Sequence, residues 1–308
     1  MNILILGAGG IGGYFGAKLQ NAGGDVTFLV RPARAAQLQA KGLTVESPLG
    51  DFHVVPRLVT AVTPDDRYDV VILTCKAYDL DAAIAAIAPA VGPTSVVLPL
   101  LNGLAHLDVL DARFGRERVL GGVAQLAVTM APMGEIKHLN RMQRLIFGQR
   151  GGNESPWLTP LEQLLSAATV DGQRSTHIEQ DMWDKLVFLA TLAAATCTMR
   201  ASIGEILAAA GGSAFILGLL DECGKVAVAH GRATDAERIA AYRAMLTESG
   251  STLAASMLRD VERGGPTEAD HVIGDLIRRG EAKVLALPLL KLAYTHLLAY
   301  EQRRLRKD

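Results

Sequence analysis

The chain is poor in the residues that staple or metallate a fold. It has three cysteines, Cys75, Cys197 and Cys223. They lie far apart and make no Cys-x-x-Cys pair, which excludes a disulfide framework and suits a reducing compartment. The seven histidines form no His-x-His or His-Glu-x-x-His pattern, so a metal enzyme is not expected. Aromatic residues are only 5% of the chain, which leaves the core to aliphatic side chains. An excess of one charge is missing too, with 31 Lys+Arg against 32 Asp+Glu. That balance offers no global field for nucleic acid or an anionic membrane.

Long hydrophobic runs are absent as well. A bilayer span takes about 20 apolar residues. The longest uncharged stretch, residues 82–107, is broken by Pro89, Pro93 and Pro99, and another, residues 206–220, contains Gly211-Gly212. No basic segment precedes the first apolar run, so a signal peptide is not expected. Without one, the sequon Asn153-Glu154-Ser155 reads as chance. The expected location is the cytoplasm.

What is present is 308 residues at 49% apolar content, enough for two domains of about 150 residues each. Up to about residue 173, strand and helix signals alternate. Apolar runs at 2–6, 25–30, 69–74 and 95–100 read as strands, and 11–22 and 80–88 read as helices. Residues 43–55 read as a hairpin around Pro48-Leu49-Gly50, and 119–129, 135–138 and 144–147 as further strands. This alternation predicts an α/β, doubly wound parallel sheet of Rossmann type. Beyond it only helical periodicity remains, at 178–199, 213–230, 235–248, 267–279 and 289–304. The expected domains are 1–173, binding a dinucleotide, and an all-α domain at 174–308, divided by a polar turn at Asp171-Gly172-Gln173.

Gly7-Ala8-Gly9-Gly10-Ile11-Gly12 is a Gly-x-Gly-x-x-Gly loop that follows a strand and opens a helix. Gly7 permits the tight turn, Gly9 lets backbone approach a pyrophosphate, and Gly12 lets the helix pack on the sheet. Free N–H groups at the helix start then face phosphate. The second strand ends in Val30-Arg31-Pro32-Ala33-Arg34 rather than in an acidic residue. A carboxylate there would bond a ribose 2′-hydroxyl; Arg31, a planar fork of donors, suits a 2′-phosphate, so NADPH is the expected cofactor. Arg34 reads as a solvated surface residue. Lys76 and Asn102 each follow a buried strand, where open sheets bind ligands. By themselves both are equally at home as turn or capping residues.

At this point the sequence resembles the ketopantoate reductase (2-dehydropantoate 2-reductase) family along nearly its whole length. The shared marks are the Gly7–Gly12 loop, Arg31, Thr74-Cys75-Lys76-Ala77, Asn102-Gly103, Trp183-Asp184-Lys185-Leu186, Ile203-Gly204-Glu205 and Thr267-Glu268. The resemblance implies a Rossmann domain followed by a helical domain. It implies NADPH-dependent reduction of a 2-keto acid, foremost ketopantoate to pantoate in pantothenate biosynthesis. It places Arg31 and Lys76 at the adenosine 2′-phosphate, Asn102 with both cofactor and substrate, and backbone near Ala127 along the cofactor. Lys185 becomes the proton donor, Ser256 a substrate contact, and Glu268 a neighbour of nicotinamide and substrate hydroxyl. The chemistry agrees, because hydride arriving at a keto carbon leaves negative charge on oxygen that a nearby ammonium can stabilise and protonate.

The family's helix usually carries Asn four and eight residues beyond the lysine, on the substrate-facing stripe. Here Leu189 and Ala193 occupy those positions, Ile203 stands where an aligned relative has Asn, and Leu101 stands where His or Gln often precedes Asn-Gly. Thr191 and Thr196 lie off that stripe. Either ketopantoate binds through other groups, or the pocket takes a less polar 2-keto acid. A non-catalytic NADPH-binding sensor is the alternative from another class, and it would not need Lys185 and Glu268 together. The run Arg303-Arg304-Leu305-Arg306-Lys307 reads as a solvated helix end rather than a nucleic-acid site. The long apolar helices of the second domain offer an area for a homodimer.

Overall fold

The computed structural model describes residues 1–306; Lys307, the last of the basic run, lies outside them. The chain forms two compact units, Met1–Leu101 with His106–Glu179, and Asn102–Ala105 with Gln180–Asp308.

In order, the first unit contains β1 (Asn2–Leu6), α1 (Gly10–Asn21), β2 (Asp25–Leu29), α2 (Pro32–Lys41), β3 (Leu43–Glu46), β4 (Phe52–Val54), β5 (Arg57–Val59), β6 (Tyr68–Leu73), α3 (Leu80–Ile87), β7 (Val91–Pro99) and α4 (Ala105–Phe114). It continues with β8 (Gly121–Gln125), β9 (Val128–Met130), β10 (Ile136–His138), β11 (Arg144–Gly148), α5 (Leu158–Ala167) and β12 (Asp171–Arg174). The main sheet runs β5-β2-β1-β6-β7 and is parallel throughout. Its central strands are apolar on both faces, with Ile3, Leu4, Ile5, Val70, Val71, Ile72 and Leu73 all buried, as a parallel sheet covered on two sides requires. The chain moves outward from β1 to β2 and then returns to β6 on β1's other side. That reversal places the ends of β1, β2 and β6 around one crevice at the carboxyl edge of the sheet.

Two smaller sheets accompany the main one, β4-β3-β10-β9 and β12-β11-β8. The single strand expected over residues 119–129 is therefore two. β8 pairs with β11, while β9 pairs with β10, and the chain changes sheet at Leu126-Ala127. The polar stretch expected as a turn, Asp171-Gly172-Gln173, is strand β12, parallel to β11 and tied to it by an Arg144–Asp171 ion pair of 2.5 Å. Its polarity marks a sheet edge rather than a chain reversal. Helix α2 was obscured by its own start, where Pro32 takes the first position that proline tolerates.

Among the described residues the second unit is helical: α6 (Ile178–Met199, entered from the first unit), α7 (Ile203–Ala208), α8 (Gly212–Ala229), α9 (Ala236–Leu246), α10 (Ser256–Glu262), α11 (Asp275–Glu281) and α12 (Pro288–Leu305). The helix expected over 267–279 is instead a π-helical turn, Asp270–Gly274, that runs into α11. Buried Glu222 of α8 accepts hydrogen bonds from the N–H groups of Leu289 and Leu290, at 3.0 and 2.9 Å, and so caps α12. In the basic run Arg304 bonds Glu301 at 3.0 Å. Among the described residues, no helix is long and apolar enough to cross a membrane.

Candidate active site

In the first unit the Gly-rich loop is held by its own neighbours. Gly7 has φ +97° and donates its N–H to the Leu29 carbonyl at 2.9 Å. A methyl on Gly12 would lie 2.3 Å from both the Gly7 carbonyl oxygen and Thr74 Oγ1, so α1 presses onto the strand ends with nothing between. Thr74 Oγ1 is itself fixed by donating to the Leu6 carbonyl at 2.8 Å. Gly10 is close to the Val128 side chain. Gly9 differs from all of these, because a methyl there would meet no protein atom within 4 Å. Packing against the protein does not require glycine at this point, and the backbone here is open to a ligand's approach. Ala8, between Gly7 and Gly9, and Ile11 complete the loop.

Gly9 is the N-cap of α1, no side chain caps the helix, and its first turn carries no acidic residue. The helix start therefore keeps its positive end and its donor groups for an anion. Open space beside Gly9, an uncapped helix start and a guanidinium past β2 suit a dinucleotide phosphate.

Arg31 is the N-cap of α2, with its side chain 78% exposed. Its Nη2 donates to Asp79 Oδ1 at 2.9 Å. Lys76, part-buried, precedes the 3-10 turn Ala77–Asp79 that follows β6. Arg34 corrects the expectation of a solvated side chain. It is part-buried, and its Nε and Nη2 donate to the Ala8 carbonyl at 3.2 and 3.0 Å while Nη2 also reaches the Gly134 carbonyl at 2.9 Å. It clamps the Gly-rich loop from behind. At Ala127 the carbonyl accepts from the Leu139 N–H at 2.7 Å and the N–H faces Asn140 Oδ1 at 3.4 Å. Ala127 can thus offer a ligand surface more readily than a hydrogen bond.

In the second unit, α6 carries Lys185, with Leu189 and Ala193 one and two turns on. Neighbouring residues fix the helix. Trp183 stacks on His230 at 5.4 Å, and buried Asp184 takes Gln180 Nε2 at 2.9 Å and pairs with Arg238 at 3.3 Å. Lys185 is part-buried and its ammonium desolvated, which lowers its pKa from 10.5 to about 8. The nearby Glu268 carboxylate opposes that fall but does not overcome it. Glu268 is buried at 6% exposure, just ahead of the π-helical turn. Thr267 beside it donates both its N–H and its hydroxyl to Glu301 Oε1 at 2.7 Å.

Leu189 is part-buried and Ala193 buried. The Thr191 and Thr196 hydroxyls donate to carbonyls of their own helix, Val187 at 2.8 Å and Leu192 at 2.7 Å. Ile203 is wholly buried at the start of α7, beneath a Ser202–Glu205 capping box. Ser256 opens α10, whose N-cap Ala255 donates to Thr196 Oγ1 at 3.4 Å.

Asn102 and Gly103 belong with this helical unit. A methyl on Gly103 would lie 2.9 Å from His271 Cδ2 and 3.0 Å from the His271 carbonyl. The Asn102-Gly103 turn therefore rests on His271, a residue that the sequence did not single out. Burial lowers the His271 pKa, with Glu268, Asp275 and Asp270 pulling the other way. The available signal was the i, i+3 spacing of Glu268 and His271; the π-helical turn that carries His271, a feature frequent at functional sites, was not visible.

Residues 3–152 match the family described as ketopantoate reductase PanE/ApbA, and residues 177–301 match its C-terminal family. An uncharacterized oxidoreductase of Bacillus subtilis (strain 168) is 37% identical, over 98% of this chain and 99% of its own. A 2-dehydropantoate 2-reductase of Archaeoglobus fulgidus is 29% identical, over 91% of this chain and 90% of its own. The crystal structure of a 2-dehydropantoate 2-reductase from Geobacter metallireducens GS-15 superposes with a TM-score of 0.88 at 28% identity, covering 97% of this chain and 99% of that one.

Proposed function

The chain belongs to the ketopantoate reductase family of oxidoreductases, and from that premise we propose that it reduces a 2-keto acid to a 2-hydroxy acid with NADPH, with ketopantoate as the first candidate substrate. The observation that carries this reading is Lys185, a desolvated ammonium with a pKa near 8 beside the buried Glu268 carboxylate. A binding-only sensor has no use for that pair. The first unit supports the cofactor half, through the open space at Gly9 and the guanidinium of Arg31 where an acid would favour NADH.

A bound nicotinamide supplies the hydride. Lys185 attracts the substrate carboxylate and protonates the oxygen on which charge develops. Its lowered pKa makes it a stronger acid than an ordinary lysine, closer to the pH at which it works. Glu268 orients the ammonium by charge and accepts from a substrate hydroxyl.

A second reading of the substrate rests on the Lys185 stripe. Leu189 and Ala193 offer no hydrogen bond there, and the Thr191 and Thr196 hydroxyls are held by their own helix. An apolar stripe gains about 25 cal/mol per Å² of alkyl surface it covers, and it adds no partner for ketopantoate's 4-hydroxyl beyond Glu268. Alkyl 2-keto acids are therefore expected to be reduced at least comparably to ketopantoate. Leu189→Asn with Ala193→Asn should shift preference toward ketopantoate by roughly tenfold, the value of one or two restored hydrogen bonds. Loss of NADPH absorbance across a panel of 2-keto acids, including 4-deoxy ketopantoate, measures both. A strong wild-type preference for the hydroxylated acid would mean that another residue replaces the missing amides. No turnover with any 2-keto acid would overturn the reductase reading itself.

A further inference from the structure

The parallel pairings β2–β1 and β1–β6 align Leu29, Leu6 and Leu73 at one edge of the main sheet. The segments beyond them carry Arg31, the Gly-rich loop and the Lys76–Asp79 turn. No acidic residue closes β2, yet a carboxylate reaches the guanidinium that follows β2 from the turn after β6: Asp79 Oδ1 lies 2.9 Å from Arg31 Nη2.

We infer that Asp79 is a cofactor-specificity residue, which supplies from the β6 turn the acid that β2 lacks and so narrows the preference for NADPH over NADH. The inference rests on the NADPH reading above and deepens it. A 2′-phosphate carries a charge of about −1.5 to −2 and seeks the donor fork of Arg31. One terminal nitrogen of that fork is already bonded to Asp79, so phosphate has to share the guanidinium with a carboxylate or displace it. A ribose 2′-hydroxyl is a neutral donor. It meets no repulsion and finds an acceptor in Asp79, the role an acid at the end of β2 performs in NAD-binding sheets. Arg31 still carries the charge and donors that a phosphate seeks, so phosphate stays favoured while the non-phosphorylated cofactor remains usable. Both partners are solvent-accessible, at 78% and 36% side-chain exposure, so the effect is modest and weakens with salt.

Binding of NADPH and of NADH, without keto acid, is measured by nucleotide fluorescence and calorimetry on wild type, Asp79→Asn and Arg31→Ala. Asparagine keeps the size and one acceptor oxygen, removes the charge and puts an amide NH2 donor in place of the second oxygen. Asp79→Asn is expected to raise the ratio Kd(NADH)/Kd(NADPH) by roughly five- to tenfold, with less change in 0.5 M salt, taken as about an order of magnitude per 1.4 kcal/mol. A ratio that rises by less than about threefold, or falls, overturns the role of Asp79. Arg31→Ala tests the underlying reading separately, since it should weaken NADPH far more than NADH. If Arg31→Ala does so while Asp79→Asn leaves the ratio unmoved, the NADPH reading stands and the inference about Asp79 fails. If wild type binds both cofactors equally and Arg31→Ala weakens them alike, the NADPH reading fails whatever Asp79 does.

Discussion

Lys185→Ala is expected to lower kcat for keto-acid reduction by about 10² or more, the contribution of a positioned general acid, while the Kd for NADPH stays nearly unchanged. The ammonium acts on charge that appears only as the carbonyl is reduced, so its removal falls on kcat rather than on ground-state cofactor binding. The pH profile gives an independent check. With a pKa of about 8, the ammonium is complete below that pH, so reduction should run on a plateau and decline as pH rises through 8. The reverse oxidation needs the neutral amine and should rise over the same range. Lys185→Arg keeps the charge but cannot release a proton in this range, and the break near pH 8 should vanish with it. Stability follows a different window. Because burial depresses this lysine from 10.5 to about 8, the unfolded chain holds more protons between those values, and the lysine's contribution to stability improves as pH rises across them. Residual activity above about a tenth of wild type, less than the loss expected of a general acid, would assign the proton to another group. So would a profile flat through pH 8.

The lysine could be found in the sequence because its neighbours are fixed in number and kind, yet the structure gives those neighbours other duties. Trp183 and Asp184 lock α6 through His230 and Arg238. Gly204 lets two backbones meet, since a methyl there would lie 2.6 Å from the Gly250 carbonyl carbon and the Ser251 nitrogen. Thr267 ties the segment before the π-helical turn to α12 through Glu301. A motif of this sort identifies the site through residues that hold it rather than residues that react. The α/β-then-α order was legible because periodicity is a local property, and helix α6 lies where that periodicity put it. What stayed hidden was set by distant pairing. The pairing of β3 with β10 joins strands 91 residues apart, Val45 against Ile136. Asp79 meets Arg31 across 48 residues, and His271 meets Gly103 only in the folded unit. No local pattern encodes such meetings.

Two single-methyl substitutions in the Gly-rich loop should separate folding from cofactor binding. Gly12→Ala would bring a methyl to 2.3 Å from the Gly7 carbonyl oxygen and Thr74 Oγ1. Neither can retreat freely, because Gly7 is bonded to Leu29 and Thr74 Oγ1 to Leu6. Overpacking of this kind typically costs about 1–3 kcal/mol, and a clash this close belongs at the upper end or beyond. At roughly 2–4 °C per kcal/mol, Tm should fall by about 6 °C or more. Gly9→Ala meets no such obstacle. Its backbone, φ −84° and ψ −159°, is extended and open to any residue, and no protein atom lies within 4 Å of the new methyl. Alanine is a poorer N-cap than glycine, so a loss of up to about 1 kcal/mol is expected from that alone. If phosphate oxygens approach the backbone at Gly9, the methyl occupies their space. Losing one or two charge-assisted hydrogen bonds at about 1.5–3 kcal/mol each should then weaken NADPH by at least tenfold. Thermal unfolding and nucleotide titration of both variants decide the matter. A Gly9→Ala protein that binds NADPH as tightly as wild type would place the pyrophosphate elsewhere, whereas a stable Gly12→Ala protein would show that α1 can shift on the sheet to make room.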